Sequence, residues 1–301
     1  MQYNLAIDIG GSKLLIGIVS SDGDIICSDK KDISNVRSDR EIITLITDIS
    51  DKMMLGCDVA VSSCGVSVPG LTDSEKGEWV FAPYSGITNF PIARLLKEKL
   101  KLPVFIENDV NASALAEKHF GICRETDNFF WMTISNGIGG ALFLDGKLYK
   151  GAFSNAGEIG HVTVVKDGHM CGCGKRGCLE VHASGLSIER EYSSLTNLML
   201  TAKEIVYKAK QGEQAANKVY QHAGRHIGMA LSHVSNLLNV EKIVLGGGVS
   251  LDYELFKNDL LTEFRRNVFI RANENVIIVK TGLHYHASLL GASLLSNLKG
   301  G

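Results

Sequence analysis

The pattern that most constrains this chain occurs twice. "YNLAIDIGG" (3–11) is a short apolar, β-branched run ending in paired glycines. It continues through "SKLLIGIVSSDGDIICSDKKDI" (12–33) as two strands joined by an Asp22-Gly23 turn. "NFFWMTISNGIGGALFLDGKLYKG" (128–151) repeats the order of strand, glycine turn, strand and Asp-Gly turn, with Asp145-Gly146 at the matching offset. A doubled supersecondary unit predicts a duplicated α/β chain, two similar halves with a cleft between them.

The intervening segments fit that plan. Ile42, Ile43, Leu45, Ile46, Ile49 and Met53 recur at helical spacing, predicting a helix over about 40–55. "DVAVSSCGVSVPG" (58–70) reads as a strand closed by Pro-Gly, followed by a helix near 91–100, the strand "LPVFIEND" (102–109) and a helix ended by Gly121. The second half adds a Cys-rich loop, helices across roughly 185–238, "EKIVLGGGVS" (241–250), a helix, the strand "NVIIV" (275–279) and a terminal helix. At 301 residues, 45% hydrophobic and 21% charged, the chain can bury about two cores. A net charge of −2 and no Lys/Arg run point away from nucleic acid and membrane surfaces. No apolar run is long enough to span a bilayer, and the N-terminus lacks a secretory pattern, so the expected compartment is the cytoplasm.

Three glycine turns each close a strand. In "DIGGSK", Asp8 stands at the strand end, Gly10 and Gly11 shape a turn whose amides can face an anion, and Ser12 and Lys13 add a hydroxyl and a cation. "NGIGGA" (136–141) is the second turn and "LGGGVS" (245–250) the third, where a nucleotide can approach backbone closely. No Walker A spacing occurs.

"IENDVNASALAE" (106–117) places Asn108 and Asp109 between a strand and a helix. There they serve either as caps or, for Asp109, as a general base. The helix N-terminus favours the charged form, so Asp109 is expected to be a carboxylate at neutral pH. "SNAGEIGHVTV" (154–164) carries Glu158 and His161, three positions apart.

Seven cysteines divide into four scattered ones, expected to pack as small hydrophobes, and Cys171, Cys173 and Cys178. The spacing CxCxxxxC, with glycines between, lets three thiolates converge on one ion; tetrahedral zinc needs one more ligand. His161, His169 and His182 are the candidates. His169 is strained by its closeness to Cys171, His182 lies on the helix after the loop, and His161, near the end of a separate strand, is favoured.

The three glycine turns together resemble the phosphate-1, phosphate-2 and adenosine elements of the actin-like ATPase fold. "CGCGKRGCLE" resembles the CxCGxxGCxE signature of the ROK family, "GEIGH" its preceding motif and "END" its catalytic motif. "DIGGSK", "GVSVPG", "NGIGGA", "TAKEI" (201–205) and "LGGGVS" follow in family order, so the resemblance covers essentially the whole chain.

The resemblance implies a two-lobed actin-like ATPase (ribonuclease H-like) α/β fold with duplicated βββαβαβα units and a zinc-binding loop. The small lobe would be 1–110 plus a C-terminal helix at about 287–301, and the large lobe 111–286 with the zinc loop at 161–180. It implies an ATP- and Mg²⁺-dependent kinase acting on a hexose or N-acetylhexosamine, usually at the 6-hydroxyl. Asp109 is then the general base, and Gly70, Asn108, Glu158, His161 and Glu180 line the sugar. Asp8, Gly10, Gly11, Ser12, Lys13, Asn136, Gly137, Gly139, Gly140, Gly246 and Gly247 hold the nucleotide, with Asp8 facing magnesium. His161, Cys171, Cys173 and Cys178 hold a structural zinc whose closed cage leaves no open position. A homodimer is expected.

Three departures stand out. Ser12 replaces a frequent Thr, Asn136 and Ala141 differ from the common TGIGGG, and the loop "APYSGITNFP" (82–91) lacks the Trp of many hexokinase members. The last weakens the glucose assignment and leaves N-acetylhexosamines, allose or glycosides open. The competing expectation is a sugar-sensing ROK regulator without a DNA-binding domain, since the first strand begins by residue 3 and leaves no room for a winged helix.

Overall fold

A computed structural model describes residues 2–36, 38–82 and 86–300 of the chain. Two compact units are present, each with its own sheet and core. The first comprises Met1–Glu125, Gly151–Asn155 and Tyr285–Gly301, and the second Thr126–Lys150 and Ala156–His284.

In the first unit the strands are β1 (Tyr3–Ile9), β2 (Lys13–Ser20), β3 (Ile25–Asp32) and β4 (Val61–Val68), with helix α1 (Asp39–Gly56) as the crossover before β4. A small antiparallel sheet of β5 (Leu71–Asp73), β6 (Glu78–Phe81) and β7 (Thr88–Phe90) follows. Helix α2 (Ile92–Leu100) then leads to β8 (Val104–Asn108), and helix α3 (Asp109–His119) begins at once. The main sheet has the order β3-β2-β1-β4-β8. Its first three strands form an antiparallel meander, while β1, β4 and β8 run parallel. β1 is buried along almost its whole length, as expected of a central strand covered on both faces. β3, at the edge, alternates half-buried and exposed positions and carries Lys30 and Lys31, charges that blunt a sheet edge.

The second unit repeats this topology with β9 (Phe129–Ile134), β10 (Ile138–Leu144), β11 (Lys147–Tyr149), β12 (Lys242–Gly246) and β13 (Ile277–Lys280) in the order β11-β10-β9-β12-β13. Again three strands meander antiparallel and two add in parallel. The duplicated unit read from the two strand–glycine–strand patterns is therefore real at the level of strand order. Between β11 and β12 lie α4 (Glu180–Ala183), α5 (Gly185–Thr196), α6 (Ala202–Lys210) and α7 (Gln214–Leu238); α8 (Lys257–Asn267) precedes β13. The "TAKEI" segment opens α6 with a capping box, Thr201 and Glu204 bonding to each other's backbone N–H.

The two Asp-Gly turns differ in detail. Asp145 and Gly146 have φ of 52° and 73°, the geometry of a two-residue hairpin. The β2–β3 loop is longer, and only Gly23 takes a positive φ, 92°. There the Ser20 hydroxyl accepts from the N–H groups of Asp22 and Asp24 at 3.3 and 3.1 Å.

A C-terminal helix (Ala287–Ser293) returns to the first unit and packs on α3, β1 and β4. Its approach depends on small residues: a Cβ on Gly291 would overlap the carbonyl of Ala112 in α3, and one on Gly65 of β4 would overlap the carbonyl of Ala292. The scattered cysteines behave as small apolar groups, Cys64 and Cys123 buried and Cys27 and Cys57 half-buried against the first core. Of the loop 82–91, residues 83–85 lie outside the described residues. Among the described residues no helix is long and apolar enough to cross a membrane.

Candidate active site and metal centre

In the first unit the parallel register aligns Asp8 with Ser67 and Ser67 with Glu107, a row of polar side chains at the C-terminal ends of β1, β4 and β8. Ligands of open α/β sheets bind at such strand ends. The Ser67 hydroxyl donates to Asp8 Oδ1 at 2.7 Å. Burial pushes the Asp8 carboxyl above its ordinary range, opposed by hydrogen bonds from Ser67 and Ser288. Beyond Asp8 the turn closes through the Gly10 N–H to the Lys13 carbonyl at 2.8 Å, leaving Gly11, Ser12 and Lys13 exposed.

Asn108 and Asp109 divide the two roles that their position allows. Asn108 is the cap: its Oδ1 accepts from the N–H groups of Val110 and Asn111 at 2.8 and 3.2 Å. Its amide nitrogen donates to the carbonyl of Gly70, also at 2.8 Å, and Gly70 presents that carbonyl from a φ of 85° that favours glycine. Asp109 is thus released from capping. The expectation that the helix N-terminus keeps it fully ionised at neutral pH does not hold. Burial first, and the charge of Asp8 second, push its carboxyl up to about 7, against the N–H of Val110 at 3.0 Å. Two buried carboxyls, one of them raised further by the charge of the other, suit a divalent cation.

In the second unit the turn at Asn136 and Gly137 joins β9 to β10, and Gly139 and Gly140 lie within β10 opposite Thr133 and Met132. Gly157 and Gly160 press onto β10: side chains there would overlap the carbonyls of Gly140 and Ile138. This contact folds Ile159–His161 into a single 3₁₀ turn, so His161 stands on a turn rather than near a strand end as expected. Its Nδ1 lies 3.6 Å from Cys171 Sγ, and its Nε2 lies 3.8 Å from Glu158 Oε2.

The ligand atoms of His161, Cys171, Cys173 and Cys178 all fall within 4.8 Å of one another. Cys173 and Cys178 sulfurs are 3.6 Å apart, and no disulfide forms. Tetrahedral zinc with ordinary bond lengths places two sulfurs about 3.8 Å apart and a sulfur and nitrogen about 3.6 Å apart. The residues fit the ion. Burial pushes the Cys178 thiol up to about 12, whereas the Lys175 backbone N–H draws the Cys173 thiol down. A buried thiolate of this kind calls for a cation. His169 and His182 stay outside the cluster; the His182 Nε2 accepts from the His169 N–H at 3.3 Å.

Glu180 opens α4 directly after the cysteine loop, and its Oε2 accepts from the N–H of Ile138 at 3.1 Å. The third glycine turn is shaped by packing. A Cβ on Gly246 would enter the Trp131 ring, and Gly247, at a φ of 85°, abuts the Ile134 carbonyl. Ser67, Glu107 and Trp79 were not singled out from sequence. Ser67 and Glu107 lay inside quoted motifs, but Trp79 carried no local signal.

The ROK family model matches residues 4–298. The chain belongs to the ROK family. A glucokinase from Halalkalibacterium halodurans is 34% identical over 269 residues, which is 83% of this chain and 81% of that protein. A xylose repressor from Caldicellulosiruptor bescii is 27% identical over 95% of this chain and 76% of its own length. Among solved structures, a ROK glucokinase from Streptomyces griseus in complex with glucose and AMPPNP superposes with a TM-score of 0.87 at 28% identity, covering 99% of this ROK chain and 100% of that one. The fold is thus the actin-like ATPase fold of ROK kinases.

Proposed function

We propose that this ROK protein is an ATP-dependent sugar kinase that transfers the γ-phosphoryl group to a hexose or N-acetylhexosamine, at the 6-hydroxyl. The observation that carries the reading is the separation of roles at the β8–α3 corner. Asn108 takes the cap, and Asp109, whose Oδ1 accepts from the Val110 N–H, keeps a carboxyl whose proton affinity lies near neutrality. The kinase relatives, one of them bound to glucose and an ATP analogue, support it.

In this reading Asp109 accepts the proton of the attacking hydroxyl. Phosphoryl transfer passes through a loose transition state, so the base needs position more than strength. Asn108, Glu158, His161, Glu180 and the Gly70 turn hydrogen-bond the sugar. Gly10 to Lys13, Asn136, Gly137, Gly139, Gly140, Gly246 and Gly247 receive the nucleotide, with turn N–H groups facing phosphate, other than that of Gly10, which the Lys13 carbonyl takes. Asp8 holds Mg²⁺, which when bound neutralises phosphate charge. Ser67 keeps the Asp8 carboxylate oriented by donating its hydroxyl proton. Zinc is structural: four protein ligands close its shell, and its effect is to fix His161 and the helix start at Glu180.

The second reading, a sugar-sensing regulator, is favoured by the match to a xylose repressor. An ATP-consumption screen over hexoses, hexosamines and glycosides separates the two. A kinase releases ADP with at least one sugar; a sensor binds sugar and leaves ATP intact.

A further inference from the structure

We propose that Trp79 is a positioning residue for the corner that carries Asn108 and Asp109, and that Glu107 braces the same corner from its other side. Trp79 sits on β6, paired with Thr72 and Phe90, and is 2% exposed within the first core. Its one polar atom leaves that core: the indole N–H donates to the carbonyl of Pro69 at 2.8 Å. Pro69 precedes Gly70, whose own carbonyl takes the Asn108 amide at 2.8 Å. Asn108 in turn caps α3, the helix whose first residue is Asp109. A short chain of contacts therefore runs from a packed aromatic ring to the proposed base.

Glu107 is also 2% exposed. Its Oε2 accepts from the Ser74 hydroxyl at 3.0 Å, beyond the end of β5. Its Oε1 accepts from the Asn108 N–H at 2.9 Å and from the Asn111 side chain at 3.1 Å. Asn108 is thereby held at its backbone N–H by Glu107, at its amide nitrogen by Gly70 and at its amide oxygen by the helix. A side-chain amide has two hydrogens; Gly70 takes one, and the other is left for a ligand hydroxyl. Orientation of this kind is what a loose transition state demands of its surroundings.

The kinetic part of this inference rests on the sugar-kinase reading; the structural part does not. Trp79→Phe keeps the ring packing and removes only the N–H, and Glu107→Gln is the second variant if the first does not fold. Hydrogen exchange at the amides of Val110 and Asn111 reads the cap, with the amides of α1 as the internal reference. An Ile18→Val variant, in β2 of the same core and outside α1, serves as a control for general loss of stability. Exchange at Val110 and Asn111 should quicken by about fivefold or more, the factor that losing one ordinary hydrogen bond produces, while α1 stays unchanged. The KM for the sugar should rise by a similar factor, with the KM for ATP unaltered. Equal exchange in variant and wild type, or the same pattern in Ile18→Val, overturns the proposal. If no sugar is phosphorylated by the wild type, the kinase reading fails while the exchange measurement still decides the role of Trp79.

Discussion

The carboxylate of Glu180 accepts a hydrogen bond from the backbone N–H of Ile138, 3.1 Å away. Glu180 begins the helix that follows the cysteine loop, and Ile138 begins β10 just after the turn at Asn136 and Gly137. The candidate metal cluster and the second glycine turn are thus mechanically joined inside one unit. Removing the ion should be felt at both.

Elemental analysis should find about one zinc per chain, as a closed Cys₃His site requires. His161→Ala should lose most of it and quicken hydrogen exchange at Ile138, because the loop that places Glu180 is no longer tied. A variant that keeps full zinc would show that another histidine closes the cage.

The pH profile carries the sign of the Asp109 shift. A general base works only when deprotonated, so kcat/KM should fall about tenfold per pH unit on the acid side of the pKa. The free carboxyl, pushed up to about 7 by burial and by Asp8, should be visible as that value in the metal-free protein. Bound Mg²⁺ should pull it down, since a nearby cation favours the charged form. Carboxyl NMR with and without Mg²⁺ checks both statements.

The same shift predicts a gain of stability on losing function. A carboxyl whose folded pKa is raised opposes folding above that pKa, and its penalty fades as pH falls toward the unfolded value of about 4. Asp109→Asn should therefore raise Tm by a few degrees at about pH 8 and leave it unchanged at about pH 4. Calorimetry at the two pH values tests this.

Gly291→Ala should destabilise the first unit by about 2–4 kcal/mol. The added methyl meets the Ala112 carbonyl, and the two helices must separate to admit it. Denaturant unfolding measures the loss. A neutral result would mean that the C-terminal helix does not lie as closely on α3 as described.

The sequence made some of this legible and hid the rest for identifiable reasons. The antiparallel meander that opens each sheet was legible, because a glycine turn and an Asp-Gly turn at fixed offsets permit little else. The cysteines were legible because three of them fall within eight positions, separated by glycines. The 3₁₀ turn at His161 was not, since it results from Gly157 and Gly160 pressing onto β10, a contact between distant segments. The protonation of Asp109 was misjudged from its helix N-terminus alone. Its neighbour Asp8 arrives only through the parallel order of β1, β4 and β8. Trp79 gave no local signal, because its role depends on where a single N–H points.

Sugar-stimulated ADP release by wild type and Asp109→Asn, measured side by side at about pH 8 over a panel of hexoses, hexosamines and glycosides, tests the central claim most directly. The account predicts that at least one sugar stimulates the wild type. Asp109→Asn should lose about 10²–10⁴ of that rate while still binding ATP. Turnover retained within about tenfold in the variant, or no stimulation of the wild type by any sugar, would contradict it.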